Sequence, residues 1–290
     1  MTFDAGELGQ AVVSGLALGA IYALVAAGLT LVLGVMDIVN FAHGEMLTLG
    51  MYATYWLWVG TGLDPLLAIP LVAVMMAVVG AATYRICIQR VLRGPPLSQI
   101  MVTFGLLVAI RGLTQQLFTS NVRAITSPSV GEIRLEVAGI VLGGPQLAAA
   151  LGAGVCLAAT AWFLNRTDTG SALMAVSQNR TGASLMGIDP NRMHLVAWIV
   201  AGITLGIAAA LLSNYYAIAP DAGAGFGLVA FVVVTLGGFG SFRGALLAGL
   251  AMGVVQDVVG LYAPELGFAA IFGLYLVIVM VRPRGILSNA

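Results

Sequence analysis

The sequence predicts an all-α membrane protein with about eight to nine transmembrane helices, some of them broken or re-entrant. Three observations carry that expectation. Of 290 residues, 60% are hydrophobic and 8% charged, where a soluble domain carries about 25% charged residues. Uncharged runs extend over 8–36, 46–63, 65–84, 94–110, 137–165, 193–220, 222–242 and 266–281, and about 20 apolar residues suffice to span the hydrocarbon. Between the first two runs, Met36–Met46 interposes Asp37, Asn40, His43 and Glu45. No stretch between spans is long enough to bury a core of its own, so residues 1–290 read as a single transmembrane domain.

Charge excludes several functions. The net charge is zero, so no overall basic surface points to nucleic acid. All twelve cations are arginine, which rules out a GxxxxGK phosphate loop, whose lysine contacts the phosphate. Any ATP must therefore be handled by another chain. Cys87 and Cys156 lie in or beside apolar segments and read as packed free thiols. The first ten residues hold Asp4 and Glu7 and no cation, and the apolar run after them is too long for a signal peptide, so it is expected to remain as a span.

Each element follows in chain order. The first span, about Gln10–Val35, carries the GxxxG pair Gly15 and Gly19, which lets another backbone approach closely. A second, from Met46 to Val59, ends in the interfacial rings Tyr52, Tyr55, Trp56 and Trp58. Asp64 and Pro65 read as cap and first residue of a third span to Tyr84. After the Gly94-Pro95-Pro96 breaker, Ser98 is the expected cap of a fourth, to Phe118. Alternation around 130–142 suggests a short strand or hairpin outside the membrane. Further spans are expected at Pro145–Leu164, His194–Asn214, Leu228–Gly240, Gly244–Tyr262 and Gly267–Val281, with Asp221–Gly227 a glycine-rich loop.

If these spans alternate, Arg85, Arg90, Arg93, Arg166, Arg180, Arg192, Arg243, Arg282 and Arg284 share one side, and only Arg123 and Arg134 take the other. The positive-inside rule makes the first side cytoplasmic, with the carboxy-terminus on it. The amino-terminus lies outside if Met36–Met46 separates two full spans and inside if that stretch re-enters.

Ionisable residues at membrane depth are the candidate functional ones, since each costs about 2.5–3.5 kcal/mol there. Arg111 and Asp257 each lie 13 residues from the cytoplasmic start of their spans, hence at equal depth, and are expected to form an ion pair, structural or lining a pathway. Asn40, Phe41, His43, Gly44 and Glu45 form a backbone break, tolerated at depth only inside protein or against water, so they read either as a polar helix start that satisfies its own backbone groups or as part of a conduit or its gate. Their place in the cytoplasmic half favours a gate over substrate recognition. No metal is expected, because His43 and Glu45, two apart, share no helix face and His194 has no matching spacing. The run Thr235–Gly244 echoes the first break, which makes Gly237, Gly238 and Gly240 either a second half of the path or close packing. In the loop 166–192, Ser177 or Asn179 begins a short helix that Gly187 stops. The small and apolar Ala183, Leu185 and Met186 on it, beside Arg180, favour docking on a partner over a passive loop.

These residues together resemble one family, the membrane permeases of ABC importers for branched-chain amino acids and related small substrates. The resemblance rests on Ile38-Val39-Asn40-Phe41-Ala42-His43-Gly44-Glu45, on Leu185-Met186-Gly187-Ile188, on Leu236-Gly237-Gly238-Phe239-Gly240-Ser241 and on Val281-Arg282-Pro283-Arg284-Gly285, and covers nearly the whole chain. It implies the ABC importer permease fold in a bacterial inner membrane, with 166–192 the coupling loop. It also implies a second related permease, two cytoplasmic ATPases that use the ATP, a periplasmic binding protein, and no cofactor on this chain. A secondary transporter or channel is the alternative. An intramembrane enzyme is disfavoured, as no GxSxG, HExxH or paired catalytic carboxylates occur.

Overall fold

The computed structural model describes residues 5–92, 94–125, 129–137 and 139–282; Asp4, Arg93, Pro283, Arg284 and Gly285 lie outside the described residues. Twelve α-helices and one hairpin make up the described chain: α1 Ala5–Met36, α2 His43–Thr61, α3 Pro65–Thr83, α4 Gln89–Val91, α5 Pro96–Phe118, β1 Arg134–Val137, β2 Ile140–Gly143, α6 Gly144–Arg166, α7 Asp168–Gln178, α8 Arg180–Leu185, α9 Pro190–Leu212, α10 Ala222–Gly237, α11 Phe242–Tyr262 and α12 Gly267–Val281. A π-helical turn, Tyr84–Ile88, joins α3 to α4 so that Pro65–Val91 is continuous. Seven of the described helices are long and apolar enough to cross a membrane; α2, with His43 and Glu45 in its first turn, and the 16-residue α10 accompany them.

Two antiparallel pairs form the core, and glycine sets the spacing in both. A Cβ on Gly15 would lie 2.7 Å from Val254 Cα, and one on Gly19 2.7 Å from Leu250 Cα, so α1 and α11 meet backbone to backbone. In α9, Gly206 faces Ala73 of α3 at 2.8 Å, and Gly202 meets Met76. Lipid offers no hydrophobic drive to bring helices together, so such close van der Waals contact is the main source of their association. Residues Ile21–Ala27 of α1 are all buried, as are Ala208–Leu212 of α9.

The alternation of helices defines two faces. One carries the β1–β2 hairpin, where Gln10 bonds Val141 in both directions at 2.7 Å. The opposite face carries α7 and α8. Three local expectations need correction. Tyr52 is not interfacial: it is buried and stacks on Phe118 with ring centroids 4.5 Å apart. The cap of α5 is Pro95 rather than Ser98, because the fixed φ of Pro96 already starts the helix. Asp221–Gly227 is mostly helix, since α10 starts at Ala222 rather than Leu228. Asp64 caps α3 as expected, accepting from Leu66 N at 2.9 Å.

Candidate functional site

The centre of the molecule is a crossing of two helix starts. After α1 ends, Asp37 adopts a positive φ of 56° and its N–H bonds Leu33 O, stopping the helix. The chain then turns back along α10, with Phe41 packed on Phe231 at 5.5 Å. Its freed backbone groups are satisfied locally: Asn40 Oδ1 accepts from Ala42 N at 3.1 Å, and Val39 O accepts from Thr103 Oγ1 of α5 at 3.0 Å. A new helix begins at His43, whose Nε2 lies 2.9 Å from Val25 O. Val25 is 11 residues from the end of α1, so α2 starts about 16 Å inside the α8 face. The stretch therefore re-enters the bundle interior.

Glycine permits the crossing itself. A Cβ on Gly44 would run into the Gly223 carbonyl and approach Gly227 Cα to 3.1 Å. Gly223 N donates to Thr48 Oγ1 at 2.9 Å, tying the first turn of α10 to that of α2. Two helix N-termini, each carrying about half a positive charge, thus meet at depth beside one carboxylate. Glu45 is 1% exposed, and its Oε1 accepts from both Nε (3.1 Å) and Nη2 of Arg111. The Arg111 side chain is 36% exposed. Glu45 Oε2 and His43 Nδ1 have no hydrogen-bond partner among the described residues.

The expected Arg111–Asp257 pair does not form; Arg111 pairs with Glu45. Equal depth did not imply adjacency, because α5 packs on α2, the π-helical turn and α4 while α11 packs on α1, α10 and α12. Asp257 instead borders a cavity of about 490 Å³ at the hairpin face with Glu7 and Gln10, and its neighbour Gln256 accepts from Tyr22 OH at 2.5 Å. Gly237, Gly238 and Gly240 do not join the crossing. They sit at the far end of α10, about 21 Å from Gly223, and turn the chain into α11 with φ values of 92° and 75° at Gly238 and Gly240. Gly237 there abuts Gly244, and Gly240 lies against Gly34. The counterpart of the first break is the start of α10. Sequence reasoning missed Gly223, Thr48 and Thr103; the small-residue pattern Ala222–Gly227 was their one signal, and it also fits a loop.

On the α8 face, Asn179 Oδ1 accepts from Gly182 N at 2.8 Å, so Asn179 rather than Ser177 caps α8. The helix closes with Ile188 N to Ala183 O and Gly187 N to Ser184 O, both 3.0 Å, with Gly187 at φ 82°. Ala183 packs inward, while Leu185 and Met186 are each 83% exposed and Arg180 is exposed. Before it stands α7, capped by Thr167, which sequence reasoning left as loop.

Residues 11–281 match the family described as branched-chain amino acid transport system, permease component. The chain is 28% identical to the high-affinity branched-chain amino acid transport system permease protein BraD of Pseudomonas aeruginosa, over 97% of this chain and 95% of that protein. It is 27% identical to the permease LivH of Escherichia coli K12, with the same shares covered. To a probable LivH of Methanocaldococcus jannaschii it is 27% identical over 82% of this chain and 77% of the relative. No solved structure matches it.

Proposed function

The chain belongs to the permease family of branched-chain amino acid transport systems, and from that premise we propose that it carries leucine, isoleucine, valine or a related small substrate inward through an ATP-driven complex. It is a multi-pass membrane permease component and is not itself catalytic. In the proposed assembly it pairs with a second, related permease and with two cytoplasmic ATPases that consume the ATP, and a periplasmic binding protein delivers substrate. The membrane is the bacterial inner membrane. The α8 face and the carboxy-terminus are cytoplasmic, as the arginine distribution of the loops supports, and the chain binds no cofactor.

The observation that carries ATP drive, rather than a secondary transporter or channel, is α8. A six-residue helix capped at both ends that holds Leu185 and Met186 out at 83% exposure is built to be covered. Arg180, Ala183 and Gly187 fix its position and its stop. The crossing of α2 and α10 is the gate: Asn40 and Phe41 line its approach, and His43, Gly44 and Glu45 form its first turn, while Gly237, Gly238 and Gly240 let α10 swing relative to α11.

Uptake of labelled leucine by proteoliposomes holding the full complex tests this. Uptake should need ATP, the partner ATPases and the binding protein, and Leu185→Asp with Met186→Asp should abolish it without lowering folded yield. Strong uptake with no ATP would overturn the reading. His43→Gln should change the rate and leave the preference among leucine, isoleucine and valine unchanged; a changed preference would assign the crossing to recognition instead.

A further inference from the structure

Three buried polar atoms lie together without partners near the α8 face, away from the crossing. Tyr84 is 1% exposed and His194 is wholly buried, with their rings edge to face at 6.3 Å. The Tyr84 hydroxyl and both ring nitrogens of His194 have no hydrogen-bond partner among the described residues. An orphaned buried polar group costs about 1–3 kcal/mol, and the Tyr84 hydroxyl, on a residue that borders a cavity, marks a place where a ligand or water belongs. Tyr84 opens the π-helical turn Tyr84–Ile88, and such turns concentrate at functional positions.

The space beside them is cationic. A cavity of about 420 Å³ is lined by Tyr84, Arg85, Gln89, Asp189, Asn191 and Arg192. A second, of about 350 Å³, shares Gln89 and Asn191 with it and adds Arg90 and Arg180. Across the two, four arginines face one carboxylate, Asp189, whose 3.5 Å contact with Arg192 offsets a single charge. The depth is that of a lipid headgroup: Tyr84 is seven residues from the end of Pro65–Val91 and His194 four residues into α9, so both lie about 6 to 10 Å inside their helix ends. Guanidinium groups take phosphate oxygens through paired N–H donors, and a neutral phenol or imidazole can donate one more.

We propose that the two cavities, joined where they share Gln89 and Asn191, bind a phosphate group, a phosphomonoester or a phosphodiester, held by Arg85 from the first and Arg180 from the second with the Tyr84 hydroxyl as its buried donor. Arg180 opens α8, so occupancy ties the position of α8 to the end of α3. The site is independent of which substrate crosses the bundle and of what drives it.

The test uses the full-length chain purified in detergent, with thermal unfolding followed by tryptophan fluorescence and retained lipid counted by native mass spectrometry. Short-chain phosphatidylglycerol, short-chain phosphatidylcholine, inorganic phosphate, acetate and chloride are titrated, the salts at matched ionic strength. Phosphatidylglycerol should raise the midpoint and be retained. An equal response to inorganic phosphate would identify a soluble phosphate, and its absence a lipid headgroup. The exposed pair Arg85→Gln with Arg180→Gln should remove the response. Tyr84→Phe should weaken binding about tenfold, the loss of one hydrogen bond to a charged group, without lowering the ligand-free midpoint. A response that survives the double glutamine change, that acetate or chloride reproduces, or that Tyr84→Phe leaves intact would overturn the proposal.

Discussion

Two glycine contacts in this molecule are nearly alike in steric terms and differ in chemistry. At Gly44 and Gly223, and again at Gly237 and Gly244, a Cβ would strike the opposing backbone. Around the first pair stand His43, Glu45, Thr48 and Arg111, with a carboxylate oxygen and a ring nitrogen that have no partner among the described residues. Around the second the polar contribution is a helix cap, Ser241 Oγ accepting from Gly244 N at 3.1 Å. Close backbone approach thus serves a polar centre in one place and a tight turn in the other, and the neighbours decide which.

Substitutions can break that comparison. Gly44→Val and Gly237→Val should be equally severe, each costing about 3 kcal/mol or more by overpacking, read as lost folded material on size exclusion; tolerance at Gly44 would mean the crossing is loose. Next come the partners of the ion pair. Arg111→Met strands a buried carboxylate and should cost about 3 kcal/mol, whereas Glu45→Gln leaves a half-exposed arginine and should cost about 1 kcal/mol; thermal unfolding that gave the reverse order would contradict the burial described. Thr48→Val removes the acceptor of Gly223 N and should cost about 1–2 kcal/mol, slightly more than the cap loss in Ser241→Ala, about 1 kcal/mol. Smallest is Asp257→Asn, within about 0.5 kcal/mol, since Asp257 does not pair with Arg111; a large loss of stability would revive that pair.

Much of the fold was legible because hydrophobic run length and glycine spacing are local signals. The GxxxG pair Gly15 and Gly19 reads as a packing face, and it is one. The cap at Asp64 was legible from side-chain chemistry alone, while that chemistry left Ser177 and Asn179 as equal candidates for α8, and the fold selects Asn179. Adjacency was not. Depth along a helix follows from counting residues, but the azimuth that turns Arg111 toward Glu45 depends on which helices are neighbours, and that depends on the whole set of contacts. The start of α10 failed for another reason. Gly223, Gly225 and Gly227 have weak helix preference, and what makes the segment helical is the close fit of Gly223 and Gly227 against Gly44 of α2.

The burial of α1 has a consequence for how the chain is made. It is made well before α11, yet Tyr22 bonds Gln256, 234 residues later. The faces at Gly15 and Gly19 that α11 covers must therefore wait in the bilayer, matched only by lipid or by chaperoning membrane machinery, until α11 itself has left the ribosome. The seam of α1 is closed by α11, and a chain cut short before α11 keeps the spans between them and lacks the contact that holds α1.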